Sequence, residues 1–187
     1  LTFGIVLGGI ALVLLIGVLL YNRLVRLRNM VEEGWSGIDV QFKRRANLVP
    51  NLIEAVKGYL GHERGVLKEV TALRAQSETA VGPGPRGVVE GRLGAALGGL
   101  FAVVENYPDL KASQNFIDLQ RALAEIEEQI QMARRYYNGA VRNLNIAVET
   151  FPSNLVAARF GFREAEFFEL DDPAERAVPK VSFGAGL

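Results

Sequence analysis

An uncharged apolar run, Leu1 to Asn22, constrains this chain more than any other feature. It consists mostly of Leu, Ile, Val, Ala and Gly and meets its first polar ring only at Tyr21. At about 1.5 Å of helical rise per residue it spans roughly 30 Å, the thickness of a bilayer's hydrocarbon core. A buried helix of a soluble domain needs polar positions on one face, and this stretch has none. A cleaved signal peptide is the rival reading, but the run is too long and no small-residue cleavage site follows it. Tyr21 and then Arg23, Arg26 and Arg28 read as an interfacial ring followed by continuing helix. The expectation is an uncleaved transmembrane anchor over residues 1–22, packed in the lipid bilayer.

Orientation follows from the flank. Arg23, Arg26 and Arg28 lie just after the span, so the positive-inside bias puts the N-terminus outside and the following domain in the cytoplasm. Gly4 and Gly8 form a GxxxG pair. Two readings fit it: helix–helix packing within the membrane, or ordinary glycine of a membrane helix.

Beyond the span the chain reads as long helices. Leu24, Leu27, Val31, Trp35, Ile38 and Phe42 recur three and four apart, which is one apolar helix face. The membrane helix is therefore expected to run on into the domain as far as Pro50, where the lost backbone donor should kink or break it. Leu52, Val56, Tyr59, Val66, Val70 and Leu73 carry the pattern on toward Ala80. Val81 to Gly87 is a loop by composition, and a second helix is expected from Val88 to Val104. The loop's glycines are not followed by a Gly-Lys-Ser/Thr and no strand precedes them, so a turn between helices fits better than a phosphate cradle. Four glycines in that second helix each cost roughly 1 kcal/mol relative to Ala; close packing is one compensation, local looseness the other reading. Asn106 to Asp109 breaks the chain. From Phe116 to Phe151 apolar residues then alternate three and four apart, a heptad that specifies a coiled-coil-like seam. Pro152 ends it, and Ser153 to Ala158 reads as a short helix closed near Gly161.

Chemistry is scarce. With no cysteine, thiolate metal sites and cysteine nucleophiles are excluded, and one histidine, His62, cannot supply a zinc or triad constellation. The carboxylates lie on helix faces without the Glu-x-x-His pattern of a di-iron bundle. Lysine plus arginine equals aspartate plus glutamate at 21 each, so no global charge steers the chain to nucleic acid. Lys43-Arg44-Arg45 is a small basic cluster, read as a bundle contact. Anionic headgroups are too far from it if the helix stands upright. In the tail, Phe160, Phe162, Phe167 and Phe168 either cap the open end of the bundle or form a docking surface rimmed by acids. Val181 and Phe183 lie in a short β-like alternation that offers a strand to a partner or is simply a terminus.

Several motifs together resemble one family. Trp35 to Leu52, Glu105 to Lys111, Ala133 to Asn138, Phe151 to Asn154 and Pro179 to Phe183 are similar to the signature segments of LemA proteins, in order along nearly the whole chain. The sequence departs from the family at Asn47, where an acid is common, and in its glycine-rich middle. The resemblance implies a bacterial single-pass membrane protein with a helical bundle, no cofactor and no assigned catalytic residue. It also implies membrane organisation, since a magnetosome relative exists, and a membrane zinc metalloprotease of the HtpX type as partner. Asp39, Lys43, Arg44, Arg45, Asn51, Asn106, Arg134, Arg135 and Asn138 are the polar motif residues, expected to hold helices together because unpaired burial of such groups is costly.

The reading is thus an all-α chain: an N-terminal transmembrane helix over 1–22, continuing into an antiparallel bundle of about four long helices over 23–160, then an aromatic and acidic tail over 161–187. Its expected function is that of a non-catalytic scaffold or adaptor in the bacterial inner membrane, a homo-oligomer associated with a membrane partner. The alternative is a signalling or membrane-shaping coiled coil.

Overall fold

The computed structural model describes residues 2–59 and 64–169. Six helices follow one another: α1 (Thr2–Lys57), α2 (Arg64–Thr79), α3 (Pro83–Val104), α4 (Pro108–Lys111), α5 (Gln114–Glu149) and α6 (Ser153–Phe160). There is no strand among the described residues. The apolar span and the first bundle helix are one element, as the uninterrupted periodicity predicts. Within α1 an 18-residue apolar window near the N-terminus is wholly unburied. Immediately beyond it Leu24 is fully buried, and Val31, Ile38 and Phe42 continue the inward face.

The heptad of α5 packs antiparallel along α1. The two backbones approach closely at Gly34, where a Cβ would lie 3.0 Å from the Tyr137 Cα, so the absent side chain eases the approach. Eleven residues on along α1, Arg45 meets Glu127, ten residues back along α5. This register carries the C-terminal half of α5 down toward the span and its N-terminal half away from it.

The core has two parts. The first joins Leu24 to Phe42 of α1 with Ile126 to Ala147 of α5, Ala157 of α6, and Phe162 and Phe168 beyond it. The second joins Val49, Leu52 and Val56 of α1 with the α2–α3 hairpin, Leu110, Phe116 and Leu123. Leu48 packs against both. Burying one such side chain is worth about 1.5–3 kcal/mol, so these seams, more than helix propensity, hold the elements together.

Three expectations are corrected. Pro50 does not break α1, which continues to Lys57; the turn comes at Gly58–Tyr59, and the pattern toward Ala80 is carried by a separate helix, α2, with Val70 and Leu73 buried. The reason is a substitute donor. A proline at position 50 leaves the carbonyl of Ala46 without its helical partner, and Arg74 Nε of α2 donates to that oxygen at 2.9 Å. Helix α3 starts at Pro83, not Val88. The first-turn N–H groups have no intrahelical acceptor, so Pro83 and Pro85 sacrifice nothing there. Phe151 is not on the seam: α5 stops at Glu149, and Phe151 is 74% exposed. The short helix α6 ends as expected at Gly161, which is left-handed at φ 74°, with Phe162 N–H donating to Ala157 C=O at 3.0 Å.

Candidate functional site

The boundary between the two core halves is polar. Glu90 of α3 is fully buried, and its carboxylate is held by three groups: the guanidinium of Arg45, the Nε of Arg86 at 3.1 Å, and the hydroxyl of Ser77. Arg45 also donates to the Glu90 carbonyl at 3.1 Å and to Glu127 Oε2 at 2.8 Å. Arg86 lies 3.5 Å from Asp39, which pairs with Lys43 at 2.7 Å. Both guanidinium groups stand over the Phe42 ring, at 5.5 and 5.4 Å. Four helices, α1, α2, α3 and α5, thus meet through one charged layer. Opposite charges are matched within it, as burial requires. A cleft of about 290 Å³ lined by Lys43, Ala46, Asn47, Glu78 and Arg86 lies beside the layer. The carboxylates around it are taken up by cations, and no group of three or more metal-ligating side chains occurs among the described residues.

A second arrangement holds the segment after α6. Asn138 Nδ2 donates to Phe168 C=O at 3.0 Å, and Phe168 N–H donates back to Asn138 Oδ1 at 2.9 Å. Asn145 makes the same reciprocal pair with Ala165, at 3.0 and 2.8 Å. The spacing explains the match. Seven helical residues rise about 10 Å, and three residues of extended chain cover about the same. The segment runs back along α5, and Tyr137 Oη donates to Glu166 C=O at 2.7 Å. The Tyr137 hydroxyl is pushed up to about 12, first by burial and then by the charge of Glu166. Phe168, fully buried, sits 5.8 Å from both the Trp35 and Phe42 rings. At Gly87 a Cβ would run into the Glu169 backbone, so the glycine lets the segment cross α3.

The residues singled out by sequence separate accordingly. Asp39, Lys43 and Arg45 join the charged layer. Arg44 only bonds Gln41, at 3.0 Å on the surface. Asn51 and Asn106 are exposed. Arg134 and Arg135 do not pair helices: they flank the seam, half-buried and exposed, with no side-chain partner among the described residues. Asn138 binds the tail's backbone, not another helix. Phe162 and Phe168 belong to the core and offer nothing to a partner, whereas Phe160 and Phe167 stay exposed. Tyr21 packs edge-on against Phe160 and Phe162, and Arg28 stands 5.3 Å over Phe162. Arg23 and Arg26 are exposed. Gly4 and Gly8 face open space. Val181, Phe183 and His62 lie outside the described residues. Glu90, Arg86, Ser77, Glu127, Arg74 and Asn145 are the participants sequence reasoning missed. The spacing of Asn138 and Asn145 on one helix face was the available signal.

An unbroken apolar helix feeding an antiparallel bundle, with a charged layer and a strapped tail, defines a class of helical proteins bearing a candidate membrane span. The chain belongs to the LemA family, which matches residues 34–183. Among its relatives are the magnetosome protein MamQ 1 of Paramagnetospirillum magneticum, 27% identical over 80% of this chain and 64% of its own length, and the magnetosome protein MamQ of Magnetospirillum gryphiswaldense, 24% identical over 79% and 64%. Protein LemA of Metamycoplasma hominis is 26% identical over 81% of this chain and 69% of its own. The chain thus spans less than two thirds of the magnetosome relatives.

Proposed function

We propose that this chain is a non-catalytic, membrane-anchored scaffold or adaptor. Residues 2–22 cross the bacterial inner membrane with the N-terminus outside, and the bundle stands in the cytoplasm. The observation carrying the reading is the continuity of α1: the exposed apolar window gives way to fully buried Leu24 without a joint. A bundle mounted on its anchor in this way suits assembly more than turnover. The buried acid of the charged layer is already satisfied by cations and a hydroxyl, which supports a structural role for it. Kinship with magnetosome proteins is in keeping with membrane organisation. Self-association would use the open Gly4 and Gly8 faces within the bilayer. The partner suggested by the family is a membrane zinc metalloprotease of the HtpX type.

Light scattering of the full chain in mild detergent tests the assembly. A defined oligomer that dissociates in a Gly4→Leu, Gly8→Leu variant is expected. A strict monomer that also fails to retain a co-expressed membrane metalloprotease would overturn the proposal.

A further inference from the structure

The corner between α5 and α6 ends where the apolar span ends. Tyr137 is level with Gly34, and α5 runs antiparallel to α1 from there. Twelve residues on, about 18 Å along either helix, Glu149 ends α5 level with Asn22, and Phe151 follows two residues further, at the end of the apolar run. The ring contact of Tyr21 with Phe160, at 4.9 Å, fixes the same level independently.

This corner carries an unusual surface. Ile146, Phe151, Leu155 and Phe160 are 52, 74, 62 and 60% exposed. Other large apolar side chains exposed beyond the span are spread along the bundle. The inward side of α6 is used by Ser153 and Ala157, which are buried, so Leu155 points away from the bundle. Arg159 is exposed beside the Phe160 ring, and Arg23 and Arg26 are exposed just past the span. Apolar side chains with arginines at the level of a membrane boundary match the interfacial layer, where rings and aliphatic chains enter the acyl boundary and guanidinium groups meet phosphates.

We infer that the α5–α6 corner, through Phe151, Leu155 and Phe160, is a second membrane contact, seated in the headgroup layer of the bilayer that α1 crosses. The occupant of this apolar face is lipid, because the face is continuous with the span. The inference rests on the reading of α1 as an anchor. With two contacts on one side of the bundle, the domain is held at a fixed angle to the bilayer and cannot pivot freely about α1.

The chain has no cysteine, so single fluorophores can be placed cleanly on it in vesicles of phosphatidylethanolamine and phosphatidylglycerol. Phe151→Cys and Leu155→Cys report the corner, Leu12→Cys the span, and Ala75→Cys the distal bundle. All four positions are exposed, so labelling leaves the core intact. Lipids carrying a shallow nitroxide should quench the labels at 151 and 155 strongly, and the label at 75 not at all. Lipids carrying a deep nitroxide should quench the label at 12. If the label at 12 is quenched while those at 151 and 155 behave like the one at 75, the corner contact is wrong and the anchor stands. If the corner labels are shielded from aqueous iodide yet untouched by lipid quenchers, a protein surface covers the corner and the inference fails. Absence of quenching at 12 would overturn the anchor and this inference with it.

Discussion

At the scale of single residues, two side chains carry consequences out of proportion to their size. Arg74 stands in for the backbone donor that Pro50 lacks. Arg74→Ala strands the Ala46 carbonyl in a buried position and should cost about 1–3 kcal/mol in chemical denaturation. Pro50→Ala restores the N–H and should recover much of that loss in the double variant, because the residue-50 amide then bonds Ala46 itself. A double-mutant cycle that came out additive would refute the pairing. Glu90 is the hub of the charged layer. Glu90→Ala leaves Arg45 and Arg86 buried without their central counter-charge and is expected to cost about 3–5 kcal/mol. None of this shows in local periodicity. Glu90, Arg86 and Arg74 are ordinary helix charges until α2 and α3 fold back on α1, and a carboxylate's burial depends on contacts far apart in sequence.

At the scale of elements, the inward faces of α1 and α5 were legible because burial imposes a three-four spacing. Leu24, Val31, Ile38 and Phe42, and Phe116 through Ala147, are where that rule places them. The extended segment after α6 was not legible, since its order comes from Asn138 and Asn145 and not from any pattern of its own. Asn138→Ala removes two hydrogen bonds, and faster amide exchange of Phe168 is the expected result, with exchange within α5 unchanged. Gly87→Ala should dislodge the same segment by collision with the Glu169 backbone, read as new protease sensitivity after Phe162. The Tyr137 hydroxyl adds a pH dependence. Its folded pKa, about 12, lies above the unfolded value near 10. The protonated form's contribution is thus complete below pH 10 and declines as pH rises toward 12. Stability measured across that window should fall less steeply in Tyr137→Phe, which has no proton to lose.

At the scale of the whole molecule, the anchor-plus-bundle plan was apparent from Leu1 to Phe42, while the meeting of span, α6 and tail at one level emerges only from the antiparallel register. The two core halves draw on different stretches of α1 and α5, and both begin beyond the apolar span. Deleting residues 2–21 should therefore leave the melting temperature of the distal half nearly unchanged. The exposed ring of Phe160, losing Tyr21 as a neighbour, becomes the most altered environment in an NMR comparison. A truncated chain that failed to fold would contradict the assignment of the core to residues from Leu24 onward.

The unbroken length of α1 also makes it a lever. From Asn22 to Lys57 it extends about 50 Å, and α5 splints it along most of that distance. Membrane helices commonly lean by about 20°. A lean of that size, transmitted without a hinge, would sweep the α2–α3 end sideways by about 17 Å. The angle at which the corner contact holds α1 would thereby set the reach of the distal hairpin.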